Sequence, residues 1–314
     1  MTTLLITHPS FVNHDTGPGH PERPERMRAI DKVLGHDIYK DLVRAEAPLR
    51  DDIEDAIRRV HPGDFFALIE KARPAHGEQP NHIDGDTVIS EGSWDAGLRA
   101  VGAGLEAVDQ VVAKKASNAF CQVRPPGHHA ESHRAMGFCF FNNIAIAAHY
   151  ARSKHGAERV AVVDFDVHHG NGTQEIFWKD KNFYYGSTHQ MPLFPGTGAL
   201  TETGVGNIWN APLRAGDRRE QFEEAFRTRI LPSLHNFAPD FVFISAGFDA
   251  HERDPLGGVK LVEADFLWAT ELLAEVARRH SGGRIVSMLE GGYDLTALAR
   301  SVAVHVKTLM ETGA

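Results

Sequence analysis

The chain has 314 residues, 33 Lys plus Arg against 42 Asp plus Glu, a formal net charge of −9 and 42% hydrophobic residues. No apolar run approaches the ~20 residues that span a bilayer, residues 1–8 lack the basic start and apolar core of a secretory signal, and two cysteines, Cys121 and Cys139, cannot form a disulfide framework; a cytoplasmic protein with no membrane partner is expected. The acidic balance speaks against nucleic acid, and 19 histidines against two cysteines direct any metal site towards nitrogen and oxygen ligands.

Leu4–Thr7 is the first of six short apolar runs that read as buried parallel strands. Arg73–Gly85, with Pro74, Gly77 and Pro80, is the most loop-like stretch. Trp94–Lys115 places Leu98, Val101, Leu105, Val108 and Val112 at helical spacing, and strands Ala119–Val123, Val160–Phe165 and Phe183–Gly186 follow. Phe222, Phe226, Ile230 and Leu234 repeat the helical spacing, in a helix that Pro232 should bend or shorten. Strand Phe241–Ser245, helix Asp265–Arg279, strand Ile285–Leu289 and helix Leu295–Met310 complete the alternation. It predicts one α/β domain over residues 1–314, built on a mostly parallel sheet covered on both faces. No linker, internal repeat or low-complexity tract interrupts it.

In such sheets ligands bind beyond the carboxyl ends of the strands, and five of the runs lead directly into polar clusters. Val123 precedes Arg124-Pro-Pro-Gly-His128-His129, and Val163 precedes Asp164-Phe-Asp166-Val-His168-His169-Gly-Asn171-Gly172. Gly186 precedes Ser187-Thr188-His189, Ser245 precedes Ala-Gly-Phe-Asp249, and Leu289 precedes Glu290-Gly-Gly-Tyr293.

On an extended strand end, residues two apart point the same way, so Asp164, Asp166 and His168 share a face. Asp-x-His is a compact donor pair for zinc or a similar divalent ion, and Asp249 on another strand is the natural third ligand. Three protein ligands leave a position for water and substrate, as in catalytic zinc sites. Capping of a helix near Gly172 accounts for one aspartate but not for this whole set. His128 and His129, presented by a stiff Pro-Pro-Gly turn, are placed to divide proton transfer between them. Tyr293, after two glycines, can donate a hydrogen bond to an oxyanion. Phe138 and Phe194, in otherwise polar loops, can wall a narrow channel. Arg26, in His20-Pro-Glu-Arg-Pro-Glu-Arg26, either reaches the site or pairs with Glu22 or Glu25.

Together these stretches resemble the zinc-dependent histone deacetylase superfamily, which includes acetylpolyamine amidohydrolases, with wording closest to class II deacetylases. The matching segments are Gly19–Arg26, Arg124–His129, Gly137–Asn143, Asp164–Gly172, Phe194–Gly198, Gly247–Ala250, Asp254–Gly258 and Leu289–Tyr293, nearly the whole chain. The resemblance implies a single-domain arginase-deacetylase fold around a mainly parallel eight-stranded sheet. It implies one Zn2+ on Asp166, His168 and Asp249, the tandem histidines at His128 and His129, and an oxyanion-stabilising Tyr293. It further implies a tunnel lined by Gly137, Phe138 and Phe194, and a carboxylate, Asp164, that orients His128. A structural K+ or Na+ is implied at Asp164, Asp166, His168, Ser187 and Thr188. At the partner position of His129 this chain carries Asn171, as class II enzymes do. An amide cannot stabilise an imidazolium as a carboxylate does, so His129 is expected to be the neutral base and His128 the charged partner or acid.

The expected reaction is metal-assisted hydrolysis of an acylated amine. Leu256 falls where a polyamine-selective relative carries glutamate, and no long insertion precedes Trp94; both favour acetyl-lysine over an acetylated polyamine. A ureohydrolase would use two manganese ions and further Asp and His ligands. A non-catalytic acyl-binding module would be expected to lack a ligand or the tyrosine, and this chain has them all. The sequence carries no signal of oligomeric state.

Overall fold

Short apolar runs bounded by glycine and polar residues form the strands, and in this chain the strand order decides where their carboxyl ends meet. The computed structural model describes residues 2–313. Its strands are β1 (Thr3–Thr7), β2 (Val43–Glu46), β3 (Asn81–His82), β4 (Val88–Ile89), β5 (Asn118–Cys121), β6 (Val160–Asp164), β7 (Phe183–Gln190), β8 (Ile208–Leu213), β9 (Phe241–Ala246) and β10 (Ile285–Leu289). Eight of them make one sheet in the order β2-β1-β5-β10-β9-β6-β7-β8, with every pairing parallel. β3 and β4 form a small antiparallel ladder at the edge of the stretch expected to be loop.

The helices are α1 (Glu25–Leu34), α2 (Ile53–Arg58), α3 (Gly63–Lys71), α4 (Ser93–Val112), α5 (Asn143–His155), α6 (Asn171–Phe177), α7 (Arg219–Ala225), α8 (Leu231–Phe237), α9 (Glu263–His280) and α10 (Leu295–Thr312). α1, α9 and α10 pack together in one layer, and α2, α4 and α5 in the other. Burial on both faces explains why the central strands are apolar runs rather than alternating ones. None of the helices is long and apolar enough to cross a membrane.

The apolar runs locate the inner strands well, and the two missed strands are the sheet's edges. β2 reads Val-Arg-Ala-Glu and is largely exposed, while β8 contains Asn210 and Pro212, residues tolerated at an edge because one side of the ladder is unpaired. β7 is longer than expected and keeps Ser187, Thr188 and His189 inside the strand, buried, rather than in a loop after it. The helix expected around Pro232 is split: α7 passes into a π-helical turn, Phe226–Ile230, before α8. There the Leu231 N–H reaches back to the Phe226 carbonyl, a widened turn beside the position where proline has no N–H to give.

Close packing of α4 against the strand-connecting segment supplies a test. Gly102 lies mid-helix, where alanine would add roughly 1 kcal/mol of helix propensity, but a Cβ there would overlap the Pro48 carbonyl. Gly102→Ala should therefore lower the denaturation midpoint, by about 1–3 kcal/mol of stability. A stabilised variant would contradict this packing.

Candidate active site

Two neighbouring strand ends supply the acidic cluster. Asp166 and His168 follow β6, and Asp249 follows its neighbour β9. Ligand atoms of the three lie within 4.8 Å of one another and all three residues are buried. His168 Nδ1 sits 3.2 Å from Asp166 Oδ1 and 3.0 Å from Asp249 Oδ2. Backbone N–H groups fix the carboxylates: Asp166 accepts from His168 N (2.9 Å) and Gly291 N (2.8 Å), and Asp249 Oδ1 accepts from Val167 N (2.8 Å). A Cβ at Gly247 would overlap the Asp166 carboxylate, and one at Gly291 the Asp249 carboxylate, so the backbone leaves this space clear. Burial and the facing Asp166 charge push Asp249 up to about 7. Two carboxylates and one imidazole crowded out of water, with the surrounding space kept free, fit a divalent cation, which relieves that repulsion.

Asp164 stands apart from this trio. Its Oδ2 faces His128 Nδ1 at 2.9 Å and accepts from the Tyr185 hydroxyl at 3.0 Å, and its Oδ1 accepts from Asp166 N at 3.0 Å. Asp164 is paired across β6 and β7 with Ser187, and Thr188 follows it in the strand.

The two histidine rings lie 4.1 Å apart between centroids but have different partners. His128 faces the Asp164 carboxylate, whereas His129 Nδ1 faces Asn171 Oδ1 at 2.9 Å. Burial opposes charge on both. At His128, Asp164, Asp166 and Glu290 outweigh burial and push the ring up to about 10. At His129, burial together with the neighbouring His128 and His168 holds it well below the ordinary histidine range. The surroundings of the first ring favour its protonation and those of the second oppose it.

Phe194 and Phe138 contact different members of this group. Phe194 packs edge-on to His129 at 5.1 Å and is 41% exposed; Phe138 lies 5.9 Å from the Tyr293 ring and 4.8 Å from His20. Gly137 and Phe138 both have positive φ, and the Phe138 N–H is held by Thr87 Oγ1 at 3.1 Å. His169 Nδ1 faces Thr197 Oγ1 at 2.7 Å and His189 Nε2 faces the Gly198 carbonyl at 3.0 Å, so both anchor the Phe194 loop. Burial, with Asp249 and Asp166, pushes the Tyr293 phenol well above its usual range, keeping it a donor. Leu256 is half-buried, and Asp254 ties it to the tyrosine: its carboxylate accepts from Leu256 N (3.0 Å) and Tyr293 N (2.7 Å).

The chain is similar in sequence and fold to known proteins. The histone deacetylase domain family matches residues 20–309. The chain belongs to the histone deacetylase family. It is 37% identical to a probable deacetylase of Archaeoglobus fulgidus over 94% of this chain and 82% of that one. It is also 37% identical to a histone deacetylase-like amidohydrolase of Pseudomonas aeruginosa, over 92% of this chain and 77% of that one. The crystal structure of the HDA15 HD domain superposes with a TM-score of 0.92 at 34% identity, covering 99% of this chain and 88% of that one. The deacetylase and amidohydrolase family makes this chain a hydrolytic enzyme with the histone deacetylase fold.

Several residues of this deacetylase-family site carry no role in the sequence reading. The Glu290 carboxylate accepts from the N–H groups of Gly127 (2.7 Å) and His128 (3.1 Å), holding the turn that presents both histidines. Arg26 both reaches the site and pairs with Glu22. Its guanidinium donates to the carbonyls of Gly292 (2.7 Å) and Glu290 (2.5 Å), lies 5.2 Å from the Tyr293 ring centroid, and contacts Glu22 Oε1 at 3.0 Å. Glu22 also receives Arg124, at the head of the histidine turn, at 2.8 Å. Hydrogen bonds that reach backbone groups across the fold leave no spacing signal in a sequence.

Glu22 is fully buried between Arg26, Arg124 and His14. Burial alone would raise its pKa, but Arg124 and His14 outweigh it and hold the carboxyl well below its ordinary range. Its stabilisation is therefore complete above the unfolded-state value, about 4.3, and is lost as pH falls through the folded value. The denaturation midpoint of Glu22→Gln should lie well below wild type at neutral pH, and the gap should narrow only below about pH 4. A gap that widens on acidification would contradict this.

Proposed function

We propose that the chain is a zinc-dependent deacylase that hydrolyses the amide of an acylated amine, with acetyl-lysine in proteins or peptides as substrate, releases acetate and works in the cytoplasm. The observation that carries this reading is the convergence of a three-donor acidic cluster, two imidazoles with pKa values shifted in opposite directions, and a buried phenol with the Phe138 ring beside it. Among the described residues only one group of three or more His, Cys, Asp or Glu donors converges, which speaks against a binuclear manganese ureohydrolase. No ligand, tandem histidine or tyrosine is missing, as it would be in a non-catalytic acyl-binding module.

Asp166, His168 and Asp249 would hold the zinc, which when bound supplies Lewis acidity to the amide carbonyl and makes water a stronger nucleophile near neutral pH. His129, neutral, accepts the proton of the attacking water. The Tyr293 hydroxyl donates to the acyl oxygen as negative charge builds on it. His128, kept cationic by Asp164, orients the water and gives a proton to the departing amine. Phe138 and Phe194 enclose the aliphatic chain and limit water at the amide. K+ or Na+ is proposed between β6 and β7, at Asp164, Asp166, His168, Ser187 and Thr188.

Leu256 offers no charge to a distal ammonium, which supports acyl-lysine. An acetylated polyamine is the second reading, favoured by the net charge of −9, which attracts a polycation. An acetyl-lysine peptide should be hydrolysed faster than N-acetylputrescine or N-acetylspermidine, with acetate measured as product. The reverse order assigns the polyamine reading; hydrolysis of none by the zinc-loaded chain contradicts the deacylase reading. Tyr293→Phe should lose about 10²–10³ in turnover while its denaturation midpoint stays close to wild type.

A further inference from the structure

His129 can serve as a base only if its lone pair is on the nitrogen that faces the substrate, which requires the proton to be on Nδ1. That nitrogen faces Asn171 Oδ1 at 2.9 Å. An amide is ambiguous: turned by half a rotation it would present Nδ2 instead, make Nδ1 the acceptor and move the proton to Nε2. The choice is made on the far side of Asn171. Its Nδ2 lies 2.7 Å from Glu131 Oε1 and 3.4 Å from Met136 Sδ, two groups that accept and do not donate. A turned amide would set its oxygen against the Glu131 carboxylate.

We propose that Glu131 is a positioning residue that fixes the Asn171 amide and so holds His129 in the Nδ1–H tautomer. The inference rests on reading His129 as the proton acceptor. Glu131 is itself tied down. Its backbone makes a tight bridge with Arg134, at 2.9 and 3.3 Å, and the adjacent Ser132 is held through its N–H (2.9 Å) and hydroxyl (3.0 Å) by Glu175. Glu175 and Asn171 both belong to α6, so the glutamate and the amide it orients are braced on one short helix. Misplacing the proton on a catalytic imidazole costs up to about 10⁴ in turnover in serine hydrolases; here a neutral replacement of Glu131 loses the preference for one amide orientation rather than enforcing the wrong one.

The test is a double-mutant cycle on the full zinc-loaded chain with the substrate that wild type turns over fastest. Glu131→Gln should lower kcat about tenfold with KM nearly unchanged. In the Asn171→Asp background, where position 171 has no amide to orient and Glu131 opposes a second carboxylate, the same substitution should leave kcat unchanged or raise it. Equal losses in both backgrounds would mean that Glu131 only supports the loop, and would overturn the proposal. If wild type turns over no substrate, the deacylase reading fails, and the tautomer is read directly by 15N NMR of the histidine rings. The His129 ring should carry its proton on Nδ1 in wild type and populate both tautomers in Glu131→Gln; an unchanged tautomer overturns the proposal.

Discussion

Carboxylates buried away from water are the constraint around which this molecule is built. Asp164, Asp166, Asp249, Asp254 and Glu290 are all buried at the carboxyl ends of the central strands, where charged groups are costly unless every oxygen finds a donor or cation. The chain meets the cost largely with its own backbone. Gly291 and His168 donate to Asp166, Val167 to Asp249, Gly127 and His128 to Glu290, and Leu256 and Tyr293 to Asp254. Each acid therefore shapes the loop that covers it, and the loops so shaped include those that carry the tandem histidines and Tyr293. The site and the local fold are one hydrogen-bonded object.

The same charges set the chemistry. His128 and His129 are adjacent in sequence and both buried, yet at the first burial is outweighed by Asp164, Asp166 and Glu290, whereas at the second burial and the neighbouring His128 and His168 lower the pKa. Two identical side chains are thereby shifted in opposite directions, the pattern that lets an acid and a base work side by side. The phenol of Tyr293 is pushed well above its usual range by burial and by Asp249 and Asp166.

How much of this was legible from the residues alone follows from what each residue contacts. β9 and β10 are continuous apolar runs because helices cover both their faces, and the sequence locates them almost to the residue. β2 and β8 are edges whose polar and proline content hides them. Asp166, His168 and Asp249 could be grouped from the residues because strand periodicity and strand-end placement bring them together, as they are in the fold. Glu22, Glu131, Asp254 and Glu290 carried no assigned role, since they act on a backbone N–H, on an amide or on a guanidinium far away in sequence. Arg26 was left with two readings and does both jobs, its guanidinium bridging the first helix to the tyrosine loop. Ser187 and Thr188 were expected past the end of β7 and lie within it, because the last four residues of that strand, though polar, are still paired with β8.

The central claim is that the buried Asp166, His168 and Asp249 cluster is built for a single divalent ion. Titration of chelator-stripped protein with zinc, followed by calorimetry and elemental analysis, tests it most directly. One tight equivalent per chain, abolished in Asp249→Ala, is the result this account predicts. No tight binding, or two equivalents of metal per chain, would contradict it.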